Sequence, residues 1–456
     1  MDSRNEVYPC QPRGFDRNAS SWHKIRTMRP LRELHARIES GEAQKDFFEK
    51  SSPQEPAGET RRMVSLLSSF RNRLDDERSA VFVSAPGRTE LAGNHTDHNR
   101  GSVLAGACNL DTLGVISPRN DGIIRILSAG YDSIIEVDTQ ELDIQSTERG
   151  NPEALVRGVA AFFADQDLKV GGFDASLESR VLPGSGLSSS AAFEVFIGTA
   201  LNTLYNRNKA GVLDIAKAGQ FAENEYFGKP CGLMDQIACA HGGIVAIDFS
   251  CDPPEIDSVQ TDFREAGYTL CVIDTGGDHA DLTDDYASVP EEMRSVAEGL
   301  GHTLLGESSL EAFRTALPTL RERCSDRALL RALHFFRDNE RVSQMVTALR
   351  AKQTEAYLKL VNESGLSSAT NLQNYFSTRN PDTQGISLAC ALGSDYFATN
   401  RLSGALRVHG GGFAGTIQAY VPTDHAKGFT ECMEAVFGAG SVIELRIREA
   451  GPMVFS

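Results

Sequence analysis

The stretch Val181-Leu182-Pro183-Gly184-Ser185-Gly186-Leu187-Ser188-Ser189-Ser190-Ala191-Ala192 decides how this chain is read. A strand candidate, Phe173–Glu178, precedes it, and an apolar segment of helical length, Ala191–Tyr205, follows. Glycines let backbone approach a ligand closely and adopt positive φ. A helix that starts in the serines aims free N–H groups and its positive dipole end at a phosphate. Their hydroxyls add donors, and one can ligate Mg²⁺. No Gly-Lys-Ser/Thr follows the glycines, so this is not a Walker A loop. The competing reading is a flexible Gly/Ser loop that caps a core helix.

Working outward, the 456 residues exceed one compact core and predict two domains. Hydrophobic residues at 41% and charged residues at 23% are ordinary for a soluble globular protein. The 41 glycines cluster in runs without a period, which excludes collagen-like and repeat architectures. A formal net charge of −17 argues against non-specific nucleic-acid or membrane binding, either of which needs a basic face. A nucleotide can still be held locally by backbone N–H groups and a metal ion. No apolar run is long enough for a membrane span. The first residues hold no apolar core for a secretory signal, so a cytoplasmic protein is expected. Nine cysteines lie scattered from Cys10 to Cys432 without CxxC pairs, which predicts reduced thiols and no zinc site.

Residues 1–28 read as a loose tail. Residues 29–75 form a helical extension, with Leu31, Leu34 and Ile38, then Met63, Leu66, Leu67 and Phe70, at helical spacings. Pro53 and Pro56 split it into two helices. Val81–Ala85 is a strand candidate running into Pro86-Gly87. Tyr268–Asp274 is a strong strand that opens a second domain, which places the division near 265/266. A strand–helix–strand ending follows at Gly415–Val421, His425–Phe437 and Val442–Ile447. The mixture predicts an α+β fold rather than a doubly wound sheet. Gly410–Gly415 matches GxGxxG, but too little chain follows for a dinucleotide-binding domain. It reads as a turn that brings backbone against a ligand or against the first domain.

Four segments in register resemble the signatures of the GHMP small-molecule kinases, and of galactokinases among them. Pro86-Gly87-Arg88-Thr89-Glu90-Leu91-Ala92-Gly93-Asn94-His95-Thr96-Asp97-His98-Asn99 resembles the galactokinase sugar signature, PGRxxLxGEHTDYN. The Gly184–Ala192 run resembles the ATP loop, Ala222–Gln236 the segment with the catalytic carboxylate, and Leu406–Gly415 the C-terminal glycine motif.

The resemblance implies a two-domain GHMP kinase fold, with an N-terminal mixed-sheet domain over 76–265. It implies a ferredoxin-like α+β domain over 266–456 and an active site in the cleft between them. It implies Arg88 and Asp235 as the catalytic pair, and Ser190 and Glu223 as Mg²⁺ ligands. ATP would be bound by Pro183, Gly184, Ser185, Gly186, Leu187, Ser188, Ser189 and Ser190. The sugar would be bound by Asn94, His95, Asp97, Gly232 and, on a looser alignment, Tyr286. The implied reaction is ATP-dependent phosphorylation of galactose at its anomeric hydroxyl, giving galactose 1-phosphate and ADP, with no obligatory protein partner.

The chain departs from the family at Asn94, where glutamate is usual and is associated with the sugar's 6-hydroxyl, and at His98, where tyrosine is usual. Asparagine removes a negative charge that would repel a C6 carboxylate by about 1–4 kcal/mol near 4 Å. This opens a second reading, a galacturonokinase or a kinase of another galactose-like sugar. His409 and Ala414 stand where threonine and glycine are commoner, and neither is expected to touch a catalytic group. His95, Asp97 and His98 also offer donors to a metal, although no fourth ligand is evident. A third reading is a non-catalytic galactose- and ATP-binding regulator.

Overall fold

The computed structural model describes residues 28–131, 133–181, 184, 186–277 and 282–456. The expected tail, apart from Met28, lies outside the described residues. So do Pro183 and Ser185 of the predicted ATP loop.

Two sheets organise the chain. The first has nine strands and is mixed: Ile123–Ser128 runs parallel to Phe173–Ser179, and the other pairs are antiparallel. Its centre is the pair Ser79–Ala92 and Ser102–Pro118. The sequence predicts a strand that stops at Ala85, yet Ser79–Ala92 continues through Pro86-Gly87-Arg88. Register shifts at Pro86/Arg88 and Glu90/Ala92 explain how, because bulges let the strand bend past a residue that donates no ladder hydrogen bond. Helices Pro152–Asp165, Ser189–Tyr205, Val212–Phe221 and Met234–His241 cover one face with a single apolar core.

The second sheet has four antiparallel strands: Tyr268–Asp274, Ala405–His409, Thr416–Pro422 and Val442–Leu445. Numbered along the chain, they are ordered second, third, first, fourth, the ferredoxin-like arrangement. The fold is α+β, with a mixed-sheet half and a ferredoxin-like half.

Three further points depart from expectation. The extension holds three helices, Leu31–Glu39, Lys45–Ser51 and Pro56–Arg71, rather than two. Their apolar residues pack on Phe82, Leu113, Val115 and Phe455 of the first sheet. The last strand, Met453–Phe455, pairs with Ser79–Ala92, so the chain's end crosses the expected division at 265/266 and returns to the first half. The strand Ala405–His409 goes unseen in the sequence, because it is short and buries all five residues, including the polar Arg407 and His409 that would read as a solvent-facing edge. Among the described residues no helix is long and apolar enough to cross a membrane.

Candidate active site

The bulged strand carries Arg88 beneath the glycine-serine loop. The backbone N–H of Arg88 donates to Leu187 O at 3.0 Å. Gly87 makes this approach feasible, since a Cβ there would lie 2.7 Å from Leu187 O. The guanidinium of Arg88 grips Asp235 through two bonds, Nε to Oδ1 at 2.7 Å and Nη2 to Oδ2 at 2.8 Å. Its Nη1 donates to Gly186 O. Arg88 is therefore fixed in a bidentate geometry that only arginine can supply.

Asp235 lies in the first turn of helix Met234–His241. It also accepts a bond from Ser188 Oγ, so this expected ATP-loop serine is turned toward the carboxylate. Burial alone would raise the Asp235 pKa. The charge of Arg88, the bonds from Ser188 and Arg88, and Lys229 outweigh burial and hold the carboxyl below its ordinary value. Ser188 adopts a left-handed φ of 59°, and His95 does likewise at 59°. Non-glycine residues rarely sit there, and such strain gathers at functional sites.

On the helix that follows the loop, Ser190 Oγ donates to Glu223 Oε1 at 3.1 Å. Glu223 falls in a π-helical turn, Ala222–Phe227, a local widening that recurs at functional sites. Lys229 Nζ stands 3.3 Å from the same Oε1, and Gln236 Nε2 donates to Oε2 at 3.1 Å. Lys229 and Gln236 lie inside the segment quoted for the carboxylate but drew no sequence assignment. Their signal was proximity to Asp235, which is weak without knowledge of the turn.

At the other end, the expected sugar residues meet the C-terminal half. His95 Nε2 bonds Gly411 O at 2.8 Å, which leaves Nδ1 buried without a partner among the described residues. Burial, the largest influence, pushes the His95 pKa down to about 4. With Nε2 so engaged, the metal-site reading of His95, Asp97 and His98 loses one of its donors. Gly232 lies against Asp97, and any side chain there would collide with Asp97 Oδ2. Tyr286 donates to Gly412 O at 2.9 Å and packs edge-on to Phe413. The glycine run thus serves as the expected turn against the first half.

Asn94, expected to bind the sugar, is bonded on both sides to protein groups. It is fully buried. Its Nδ2 donates to Glu90 Oε1 at 3.1 Å and Gly410 O at 2.7 Å, and its Oδ1 accepts from Asn374 Nδ2 at 2.7 Å. Its backbone is held from the second half by Asp338 and His334. Both ends of the amide are occupied by protein. The carboxylate of Glu90 lies against it and is paired with the fully buried Arg407.

His409 was expected to stand clear of catalytic groups. Its bonds go to none of them: Nε2 accepts from Glu90 N–H at 3.3 Å and lies 3.0 Å from Thr89 Oγ1, while Nδ1 faces Thr416 Oγ1 at 3.1 Å. It also lies under the loop, where a Cβ on Gly186 would meet Nδ1 at 2.8 Å. Burial, then the positive charges of Arg88 and Arg407, push its pKa well below the ordinary value, so it is neutral support for the loop. Within the glycine run the non-glycine residue with left-handed backbone is Phe413, at φ 62°.

With this geometry in place, the chain can be compared with known proteins. Residues 154–243 match the GHMP kinases N terminal domain, and residues 68–118 match the galactokinase galactose-binding signature. Among solved structures, Lactococcus lactis galactokinase complexed with galactose superposes with a TM-score of 0.74 at 23% identity, over 86% of this chain and 99% of that one. Methanococcus jannaschii mevalonate kinase gives 0.58 at 15% identity, over 80% and 98%. Streptococcus pneumoniae phosphomevalonate kinase, in complex with phosphomevalonate and AMPPNP, gives 0.52 at 13% identity, over 80% and 99%. These likenesses fix the fold. The chain carries a GHMP kinases N terminal domain and the galactokinase galactose-binding signature, which indicate a sugar-kinase phosphotransferase of the galactokinase type.

Proposed function

We propose that this protein transfers the γ-phosphoryl group of ATP to the anomeric hydroxyl of galactose, giving galactose 1-phosphate and ADP. The observation that carries the reading is the bidentate Arg88–Asp235 pair at the junction of the glycine-serine loop and the sugar signature. The galactose bound to the Lactococcus lactis protein and the AMPPNP bound to the Streptococcus pneumoniae protein support the two substrates.

In this scheme the loop residues Gly184, Gly186, Leu187 and Ser189, with Pro183 and Ser185, cradle the ATP phosphates at the start of helix Ser189–Tyr205. The sugar oxygen attacks the γ-phosphorus, the bond to the β–γ bridging oxygen breaks, and ADP leaves. Arg88 neutralises charge on the transferred group. Asp235 is ionised and orients the hydroxyl, whose proton it accepts as transfer proceeds. A carboxylate held below its ordinary pKa is a weak base. A loose transition state makes positioning the larger part of its work.

Ser190 and Glu223 fit Mg²⁺. Their oxygens are 3.1 Å apart, and Lys229 already places a positive charge against Glu223 Oε1. Hard oxygen donors of this kind suit the ion, which neutralises phosphate charge when bound. On the sugar side, His95 Nδ1 is a buried acceptor for a ring hydroxyl, and Asp97, Gly232 and Tyr286 line the same end. Asn94 takes no part in sugar contact. The charge argument for galacturonate therefore weakens, because it required Asn94 to face the C6 substituent.

Initial rates of ATP consumption on galactose, galacturonate and other hexoses, with the product located by NMR, test the proposal. Turnover of galactose with phosphate on C1 is expected. Turnover of galacturonate alone would sink it, as would galactose binding without turnover, the behaviour of a regulator.

A further inference from the structure

Behind Glu223 lies a polar cluster that the transfer scheme does not use. Glu194 is the only charged residue of helix Ser189–Tyr205, one turn after Ser190 and on the same face. Its side chain is fully buried, and its Oε1 has no hydrogen-bond partner among the described residues. Its Oε2 accepts from Gln236 Nε2 at 3.0 Å, and the same nitrogen donates to Glu223 Oε2 at 3.1 Å. Gln236 is itself fully buried. Gly219 leaves room for the arrangement, since a Cβ there would lie 2.7 Å from Glu194 Oε2. Burial, then repulsion from Glu223, pushes the Glu194 pKa well above its ordinary value.

A carboxyl in a buried interior is costly, and an apolar side chain would fill the space at less expense. The bond pattern gives it a use. Gln236, held from behind by Glu194, occupies Glu223 Oε2 and leaves Oε1 turned toward Ser190 at 3.1 Å. We propose that Glu194 and Gln236 are positioning residues that lock the Glu223 carboxylate with Oε1 presented to the metal–phosphate end of the site. The proposal rests on the reading of Glu223 as a Mg²⁺ ligand. Outer partners of metal ligands change metal affinity by about 10–100-fold when removed.

The test is calorimetry on the full chain with MgADP, with ADP in EDTA and with galactose, beside the parent protein. Glu194→Leu and Gln236→Met are each expected to weaken MgADP binding by about 10–100-fold. Both should leave metal-free ADP and galactose binding near the parent values. Glu194→Gln, which restores an acceptor for Gln236, should recover the metal preference. Parent-like MgADP affinity in either apolar variant overturns the proposal, and so does equal weakening of all three ligands, the mark of a merely structural role. Glu223→Gln separates the two levels. If it loses the metal preference while Glu194→Leu and Gln236→Met keep it, only the positioning proposal fails. If it keeps the preference, the ligand reading beneath it fails. Should Glu194→Leu not fold, Gln236→Met decides alone.

Discussion

Arg88 and Asn94 belong to one short stretch of chain, yet they are held in opposite ways. Arg88 is fixed by Asp235 and Gly186, both from the N-terminal half, and the Asp235 side chain keeps 32% of its surface exposed. Asn94 is sealed by Gly410, Asn374, Asp338 and His334 of the C-terminal half and has no exposure at all. At the transfer end, polar groups are paired with each other but still face the cleft. At the sugar-signature end, part of the motif has become the joint between the two halves. A residue within a binding signature can therefore carry architecture while its neighbours His95 and Asp97 are the ones proposed for ligand contact.

The strongest way to probe the open end is Arg88→Lys. Lysine keeps the charge but cannot make the two-bond grip on Asp235 or reach Gly186 O in the same geometry. A kcat loss of about 10²–10³-fold is expected, on the scale of a lost transition-state donor. Melting temperature should change little. A variant with parent kcat would show that charge alone suffices and that the bidentate geometry is incidental.

At the sealed end, Asn94→Glu sets a second carboxylate against Glu90 in a buried joint. An unpaired buried charge costs about 3–5 kcal/mol. The change should appear as a lowered melting temperature, with chemistry affected only through the loss of folded protein. If the melting temperature holds and the galactose KM moves instead, Asn94 faces the sugar and the contrast with Arg88 dissolves.

His95 lies between these extremes, and pH separates its contribution. Its folded pKa is about 4, whereas an unfolded histidine titrates near ~6.5. Between those values the unfolded chain binds a proton that the folded one refuses, so His95 lowers stability as pH falls through that window. The slope is about 1.4 kcal/mol per pH unit, and the effect vanishes above the unfolded pKa. His95→Asn tolerates the left-handed backbone and lacks the titration. The parent should lose melting temperature relative to this variant between pH 7 and pH 5. A constant difference across that range contradicts the burial assigned to His95.

The transfer end was legible in the sequence because each of its residues sits in a short motif with its own side-chain signature, although Arg88 and Asp235 meet across 147 positions. Arg88 follows a Pro-Gly bulge, Ser190 opens a helix, and Asp235 lies in the first turn of another. The joint was not legible, because its contacts join residues far apart in sequence and involve backbone carbonyls such as Gly410 O and Gly411 O, which carry no side-chain signature. Glu223 and Glu194 illustrate the middle ground. Glu223 draws notice through the motif alone, since a lone glutamate reads as a solvated charge. Glu194 could have been noticed as the one charge in an otherwise apolar helical segment. The strand Ala405–His409 and the π turn at Ala222–Phe227 escaped for different reasons. The first buries polar side chains on a sheet, and the second depends on a hydrogen-bond shift that composition does not encode.

Asp235 is the centre of the proposed transfer. With Asp235→Asn, isothermal calorimetry should find galactose affinity close to the parent's, while kcat falls by about 10²–10⁴-fold, the range for loss of a positioned proton acceptor. A variant that binds galactose and retains near-parent kcat would contradict the Arg88–Asp235 pair as the centre of transfer.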